Sequence, residues 1–115
     1  MPHLLRAGRN AAMLPLFVEN NIIAVGWDEL GDCSGLSTAE AVKQRMREAY
    51  PEKRPGQVTN AAGQVKRFMD LGIGEIVCVY DPEAREYLVA EVTSGYSYEA
   101  NAERYRHRHH VNFIG

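Results

Sequence analysis

The stretch Ile22-Ile23-Ala24-Val25-Gly26-Trp27-Asp28-Glu29-Leu30-Gly31-Asp32 changes character within one residue of Trp27. Ile22 to Trp27 is almost wholly apolar and has the length of a strand. It does not alternate, so it predicts a central strand buried on both faces. From Asp28 the chain turns polar, and Asp28 to Leu36 reads as a glycine-bearing loop. A lone tryptophan thus stands where a buried strand gives way to a loop, a natural rim position for a pocket.

On the N-terminal side, His3 to Ala7 reads as a short strand closed by Gly8. Asn10 is placed to cap a short helix through Leu14, Leu16, Phe17 and Val18, with Pro15 tolerated only in its first turn. Asn20-Asn21 ends that helix. On the C-terminal side, Ser37-Thr38-Ala39-Glu40 has the form of a capping box with Ser37 as the cap. The helix it opens carries Ala39, Val42, Met46 and Ala49 on one stripe and ends at Tyr50-Pro51. Glu52 to Gln57 reads as a connector. A third helix follows from about Asn60 to Leu71, with Ala61, Val65, Phe68 and Met69 inward and Gly72 as its stop. Glu75 to Tyr80 and Glu86 to Val92 form a hairpin across Asp81-Pro82-Glu83-Ala84-Arg85. Ser94 to Tyr98 continues or bends the second strand, with Gly95 a candidate bulge. Val111 to Ile114 is the last strand. Helices beside consecutive hairpin strands predict an α+β fold with a curled, mostly antiparallel sheet and about three helices. Without an internal repeat or linker, residues 1–115 read as one domain, complete as it stands or taken from a longer protein.

At 115 residues, 45% hydrophobic and 24% charged, the composition is that of a soluble globular domain with one core. No stretch reaches the roughly 20 apolar residues of a membrane span, and the N-terminus lacks a signal-peptide core, so the expected location is the cytoplasm. Cys33 and Cys78 lie far apart without metal-ligand spacing; Cys78, in Ile76-Val77-Cys78-Val79-Tyr80, reads as a buried thiol. The formal net charge of −2 gives no overall basic signature. The charge is uneven, however. Lys43, Arg45, Arg47, Lys53, Arg54, Lys66 and Arg67 gather in the middle third, and Arg104, Arg106 and Arg108 alternate near the end.

Each catalytic set the sequence suggests lacks a member at a definite position. His107 and His109 would share a strand face, but no further ligand completes a zinc site. With His110 they read as a solvated strand edge that grows more positive near about pH 6. Asp81 and Glu91 have the separation of a metal-dependent nuclease core, yet Thr93 stands where its lysine belongs, and no lysine follows Lys66. There is no nucleophile elbow and no phosphate loop. The chain therefore reads as a binding domain and not an enzyme, with neither metal nor cofactor. Trp27, Tyr96 and Tyr98 offer aromatic walls that suit a flat base lifted from its stack, and Asp28 and Ser34 could bond its edge. The bland alternative is that Trp27 only packs the core.

Leu5-Arg6-Ala7-Gly8 and Ile23 to Asp32 resemble the opening of the EVE-like domains of the PUA-like superfamily. Phe68, Ile73-Gly74-Glu75-Ile76-Val77, Tyr87 to Val92, Gly95-Tyr96-Ser97-Tyr98 and His109-His110-Val111-Asn112-Phe113 follow in the matching order. Glu75 stands where such domains usually have aspartate, and Asn112 where an arginine or similar is often seen. Such domains look like those at the N-terminus of Mrr-type modification-dependent restriction endonucleases. The resemblance implies a DNA-binding module with a modified base held against Trp27 and a nuclease domain fused or associated. Lys43, Lys53, Arg54, Lys66, Arg104, Arg106 and Arg108 are the expected backbone contacts, with the last three aligned if their segment is extended. The other readings are an RNA-binding PUA-type domain, a small-molecule nucleotide or base pocket, and a purely structural or protein-interaction domain.

Overall fold

The structure is a computed structural model that describes residues 3–5, 7 and 12–114. The expected strand end at Gly8 and helix cap at Asn10 lie outside the described residues. Along the chain run β1 (His3–Leu5), α1 (Leu14–Asn20), β2 (Ile22–Val25), α2 (Ala39–Ala49), α3 (Pro55–Met69), β3 (Ile76–Asp81), β4 (Glu86–Val92), β5 (Ser97–Tyr98) and β6 (His107–Phe113). The fold is α+β, with three helices and one curled, mixed half-barrel sheet among the described residues. The strands lie in the order β1-β3-β4-β6-β2, with β5 also on β6. Only the β1–β3 pairing is parallel; the others described are antiparallel.

The Ile22–Val25 run is buried as expected, with Ile22, Ile23 and Ala24 at 2% exposure or less. Its place differs from the expectation: β2 ends the strand order instead of sitting in its middle. It escapes solvent because α1 packs against it. An apolar run reports burial, and a helix can bury a sheet edge as well as a neighbouring strand can.

The hairpin forms in the predicted place, with Tyr80 opposite Tyr87 and Asp81 opposite Glu86. Asp81 Oδ1 accepts from the Glu83 and Ala84 amides (3.0 and 3.3 Å), so this acid is a turn residue. The chain from β4 to β5 bends, and both pieces pair with β6. At the bend the Thr93 amide donates to His110 O (2.9 Å) and the Ser94 hydroxyl accepts from the His110 amide (2.9 Å). A side-chain oxygen thus replaces a ladder carbonyl where the pairing is interrupted.

β6 is the largest departure. It begins at His107, four residues before the expected Val111, and pairs with β2 through His107–His110 and with β4 through Val111–Phe113. α3 also begins early, at Pro55. Proline is suited to a first helical turn because its missing N–H would be unbonded there anyway, and Gln57 Oε1 accepts the Arg54 amide (3.0 Å). Read as a connector, this stretch is in fact the first turn of the helix.

Two apolar clusters result. One joins α1 to the sheet through Phe17, Ile23, Phe68, Val77, Val79, Ala90 and Val92. The other lies between α2, α3 and the loop after β2, through Leu30, Cys33, Val42, Met46, Val58, Ala62 and Val65. Val42 and Met46 carry the α2 stripe as expected, while Ala39 at its start is exposed.

The α2 cap is Thr38, whose Oγ1 accepts the Ala41 amide (3.1 Å), one position later than the expected Ser37. Thr38→Ala is therefore expected to lower unfolding free energy by about 1 kcal/mol, and Ser37→Ala by less than about 0.5 kcal/mol. Urea unfolding of the two variants checks the assignment; the reverse order contradicts it.

Candidate functional site

The polar end of β6 turns inward. His107 and His109 are fully buried, not a solvated edge as the sequence led us to expect. Alternation along β6 places His107, His109 and Val111 on the buried side. Burial of two imidazoles requires polar neighbours for their nitrogens, and each ring nitrogen has an oxygen within hydrogen-bonding distance. His109 Nδ1 lies 2.9 Å from Ser94 O and Nε2 2.6 Å from Phe68 O, tying the end of α3 to the β4–β5 bend. The Phe68 ring meets His109 edge-on, with centroids 4.8 Å apart.

His107 lies where the predicted pocket residues meet. Its Nε2 lies 2.9 Å from Trp27 O, which can only accept, so Nε2 carries the proton. Its Nδ1 then accepts from the Tyr96 hydroxyl (2.6 Å), and that oxygen accepts the Cys33 amide (3.2 Å). A chain of bonds thus runs from the Cys33 amide through Tyr96 and His107 to the Trp27 carbonyl. It is satisfied throughout when His107 is neutral. Burial pushes His107 below the ordinary imidazole value, against the opposing pull of the Trp27 carbonyl. Burial also raises the Tyr96 phenol and the Cys33 thiol, keeping both protonated.

Trp27 occupies the left-handed region (φ 60°, ψ 44°). For a non-glycine residue this costs about 1–2 kcal/mol, so the surroundings must hold it there. They do so through the His107 bond and the Leu30 amide, which donates to the same carbonyl (3.1 Å) and starts a short 3-10 turn over Asp28–Leu30. Arg45 Nη1 donates to Leu30 O (2.7 Å) and ties the turn to α2. The Trp27 side chain packs against the helical cluster yet stays partly exposed.

Four of the five predicted pocket residues come together here. Tyr96 and Tyr98 flank His107, with ring centroids 5.8 and 5.2 Å from it, so the two tyrosines do share a side. The Tyr98 hydroxyl donates to Asp28 O (3.4 Å). The Asp28 carboxylate accepts the Tyr105 and Arg106 amides (3.0 and 2.9 Å) and closes the β5–β6 loop onto the turn. Ser34 is exposed, one residue beyond Cys33, and its amide donates to Asp32 Oδ1 (2.9 Å). His107, the residue that joins the group, was not among the expected ones. Its signal was the alternation with His109 and Val111.

The expected basic contacts separate into distinct settings. Lys66 pairs with Asp70 (2.6 Å) and Lys43 faces Glu40 (3.8 Å), so each has a carboxylate at hand. Lys53 sits over the Tyr50 ring, and Arg54 is exposed. Arg104, Arg106 and Arg108 do not align on an extended strand, because Tyr105 between them is left-handed (φ 56°). Arg106 Nε donates to Ala102 O (2.7 Å) and Arg108 Nε to Tyr105 O (2.9 Å). Arg104 and Arg108 instead line an open cleft of about 570 Å³ with Met13, Leu16, Glu99 and Glu103. Among the described residues, no three His, Cys, Asp or Glu side chains gather as a metal site. No helix described is long and apolar enough to cross a membrane.

The lowered His107 value fixes a pH dependence. As pH falls, the unfolded chain takes up this proton first, so the contribution is whole above about pH 6.5 and is lost below it, until the folded-state group also protonates. Urea midpoints of the wild type should fall more steeply below about pH 6.5 than those of His107→Gln. Parallel pH profiles would contradict the buried, neutral assignment.

No curated protein and no solved structure matches the chain. Residues 5–114 match the family described as "Domain of unknown function (DUF8426)", and the chain belongs to that family.

Proposed function

We propose that this chain is a non-catalytic, EVE-like (PUA-like) DNA-binding module that holds one modified base against Trp27. Cleavage belongs to a nuclease domain fused to it or associated with it, within a modification-dependent restriction system. The observation that carries the reading is the backbone of Trp27: a partly exposed indole on a left-handed residue, held by a buried histidine. Core packing alone does not call for that conformation, since an extended strand end would bury an indole without the strain. An outlier of this kind is a reason to look for a function at the residue.

A base stacked on an aromatic ring gains about 1–3 kcal/mol, and a lifted base needs such a surface. The Asp28 carboxylate already holds two loop amides, so in this reading the base edge is left to the exposed Ser34. Arg104 and Arg54, both exposed, are the strongest candidates for backbone phosphates among the seven cations. The cleft beside Arg104 and Arg108 favours a second reading, a pocket for a free nucleotide or base, because its volume falls within the usual range for small ligands.

Trp27 is the only tryptophan, so its fluorescence reports directly on stacking. Duplexes carrying unmodified cytosine, 5-methylcytosine, 5-hydroxymethylcytosine or N6-methyladenine are titrated at several salt concentrations, beside matched RNA. One modified duplex is expected to bind about tenfold or more tightly than the unmodified one, with fluorescence quenching and a salt slope. Trp27→Ala should lose that preference. Equal binding of all duplexes, with Trp27→Ala like the wild type, would overturn the reading. Preference for RNA would replace DNA as partner, and binding of free nucleotide without a salt slope would favour the cleft.

A further inference from the structure

His109 has an oxygen at each ring nitrogen, and neither oxygen has a proton to give. Nδ1 lies 2.9 Å from Ser94 O and Nε2 2.6 Å from Phe68 O, and a peptide carbonyl only accepts. His107, on the same side of β6, differs. One of its nitrogens faces a carbonyl and the other a hydroxyl, so a neutral ring satisfies both. A neutral His109 has a single N–H and can bond only one of its two carbonyls. Its other nitrogen then sets a lone pair against an oxygen lone pair, and the fully buried ring has no solvent to turn to. Only the imidazolium, protonated at both nitrogens, makes both bonds.

A buried charge must be offset by its surroundings. Phe68 lies in the last turn of α3, so its carbonyl belongs to the negative end of the helix, which favours a cation. Among the described residues no carboxylate pairs with the His109 ring. Ile23 stands opposite it on β2, and the Phe68 ring meets it from α3. The titratable groups that face it are Tyr96 from the bend, with ring centroids 6.4 Å apart, and His107 along β6; both are neutral in this setting. Beside Phe68 on α3, Arg67 is exposed and Lys66 is paired with Asp70. The charge therefore rests on two carbonyls and a helix end, with no fixed anion to hold the proton as pH rises.

We propose that His109 is a pH-sensitive clamp: as the imidazolium it ties the end of α3 to the β4–β5 bend, and as the neutral ring it releases the bend. The neutral ring keeps its proton on Nε2, beside the nearer carbonyl at the helix end, so the bond lost is the one to Ser94 O. Ser94 lies two residues before Tyr96, whose hydroxyl bonds His107. The clamp thereby governs how firmly that wall of the Trp27 site is held, and it stands or falls separately from base recognition.

The test uses the full chain labelled with nitrogen-15, read by long-range proton–nitrogen NMR and amide hydrogen exchange from about pH 5 to about pH 8. At the acid end His109 should carry protons on both nitrogens, and at the alkaline end on Nε2 alone. The Thr93 and His110 amides bond across the bend and report on it. Over the same interval their protection, corrected for intrinsic exchange and taken relative to the β3–β4 ladder, should fall about fivefold, the equivalent of one hydrogen bond. His109→Gln, whose amide donates in the same way at every pH, should show no such step; the wild-type series decides the matter even if that variant does not fold. One proton on His109 at every pH, two protons at every pH, or a titration that leaves the Thr93 and His110 protection unchanged would each overturn the proposal.

Discussion

A buried imidazole with two different partners organises this domain. His107 donates to the Trp27 carbonyl and accepts from the Tyr96 hydroxyl, which in turn receives the Cys33 amide. Two regions distant in sequence are joined through one ring: the loop between β2 and α2, through Trp27 and Cys33, and the stretch from the β4–β5 bend to β6, through Tyr96 and His107. A hydrogen bond in this setting contributes only about 1 kcal/mol net. A buried polar atom left without its partner costs more, so loss of any member is felt by the others. The neutral state of His107 follows from the pattern, because Trp27 O needs a donor and the tyrosine hydroxyl needs an acceptor.

The two apolar clusters depend on the same feature. Tyr96 packs against both of them and carries the hydroxyl that bonds His107. His109, two residues along on the same side of β6, binds the α3 carbonyl at Phe68 and so fixes the helical layer to the sheet. Asp28 closes the loop before β6 over the turn that follows Trp27. The strained backbone at Trp27 is thus held from several directions, which is how a left-handed tryptophan persists. A rigidly set, partly exposed indole is also what a binding surface needs, since little order is left to be gained on contact.

Much of this could be read in the sequence, for physical reasons that differ by element. Val42 and Met46 at helical spacing announced α2, and the Asp81–Arg85 link announced the hairpin, because both signals are local. The Ile22–Val25 run announced burial but not position, since a helix covers the edge it forms. The start of α3 at Pro55 was hidden because proline in the first helical turn looks like proline in a connector. β6 was half hidden because Arg106 to His110 is polar in composition, and composition outweighed the alternation that places His107 and His109 beside Val111. The grouping of Trp27, Tyr96 and Tyr98 was legible as aromatic residues near sheet ends, and Asp28 as the polar residue that follows Trp27. The histidine that joins them was legible only as periodicity, and the aligned arginines failed because nothing in the sequence marks Tyr105 as left-handed.

The setting of Trp27 depends most directly on the protonation pattern of one ring. Long-range proton–nitrogen NMR of the imidazoles at about pH 7, above the ordinary histidine range, reads it without any substitution. The predicted result for His107 is a protonated Nε2 in slow exchange with solvent and an unprotonated Nδ1. A proton on Nδ1, protons on both nitrogens, or rapid exchange would contradict the bond to Trp27, and with it the basis for holding the indole in place.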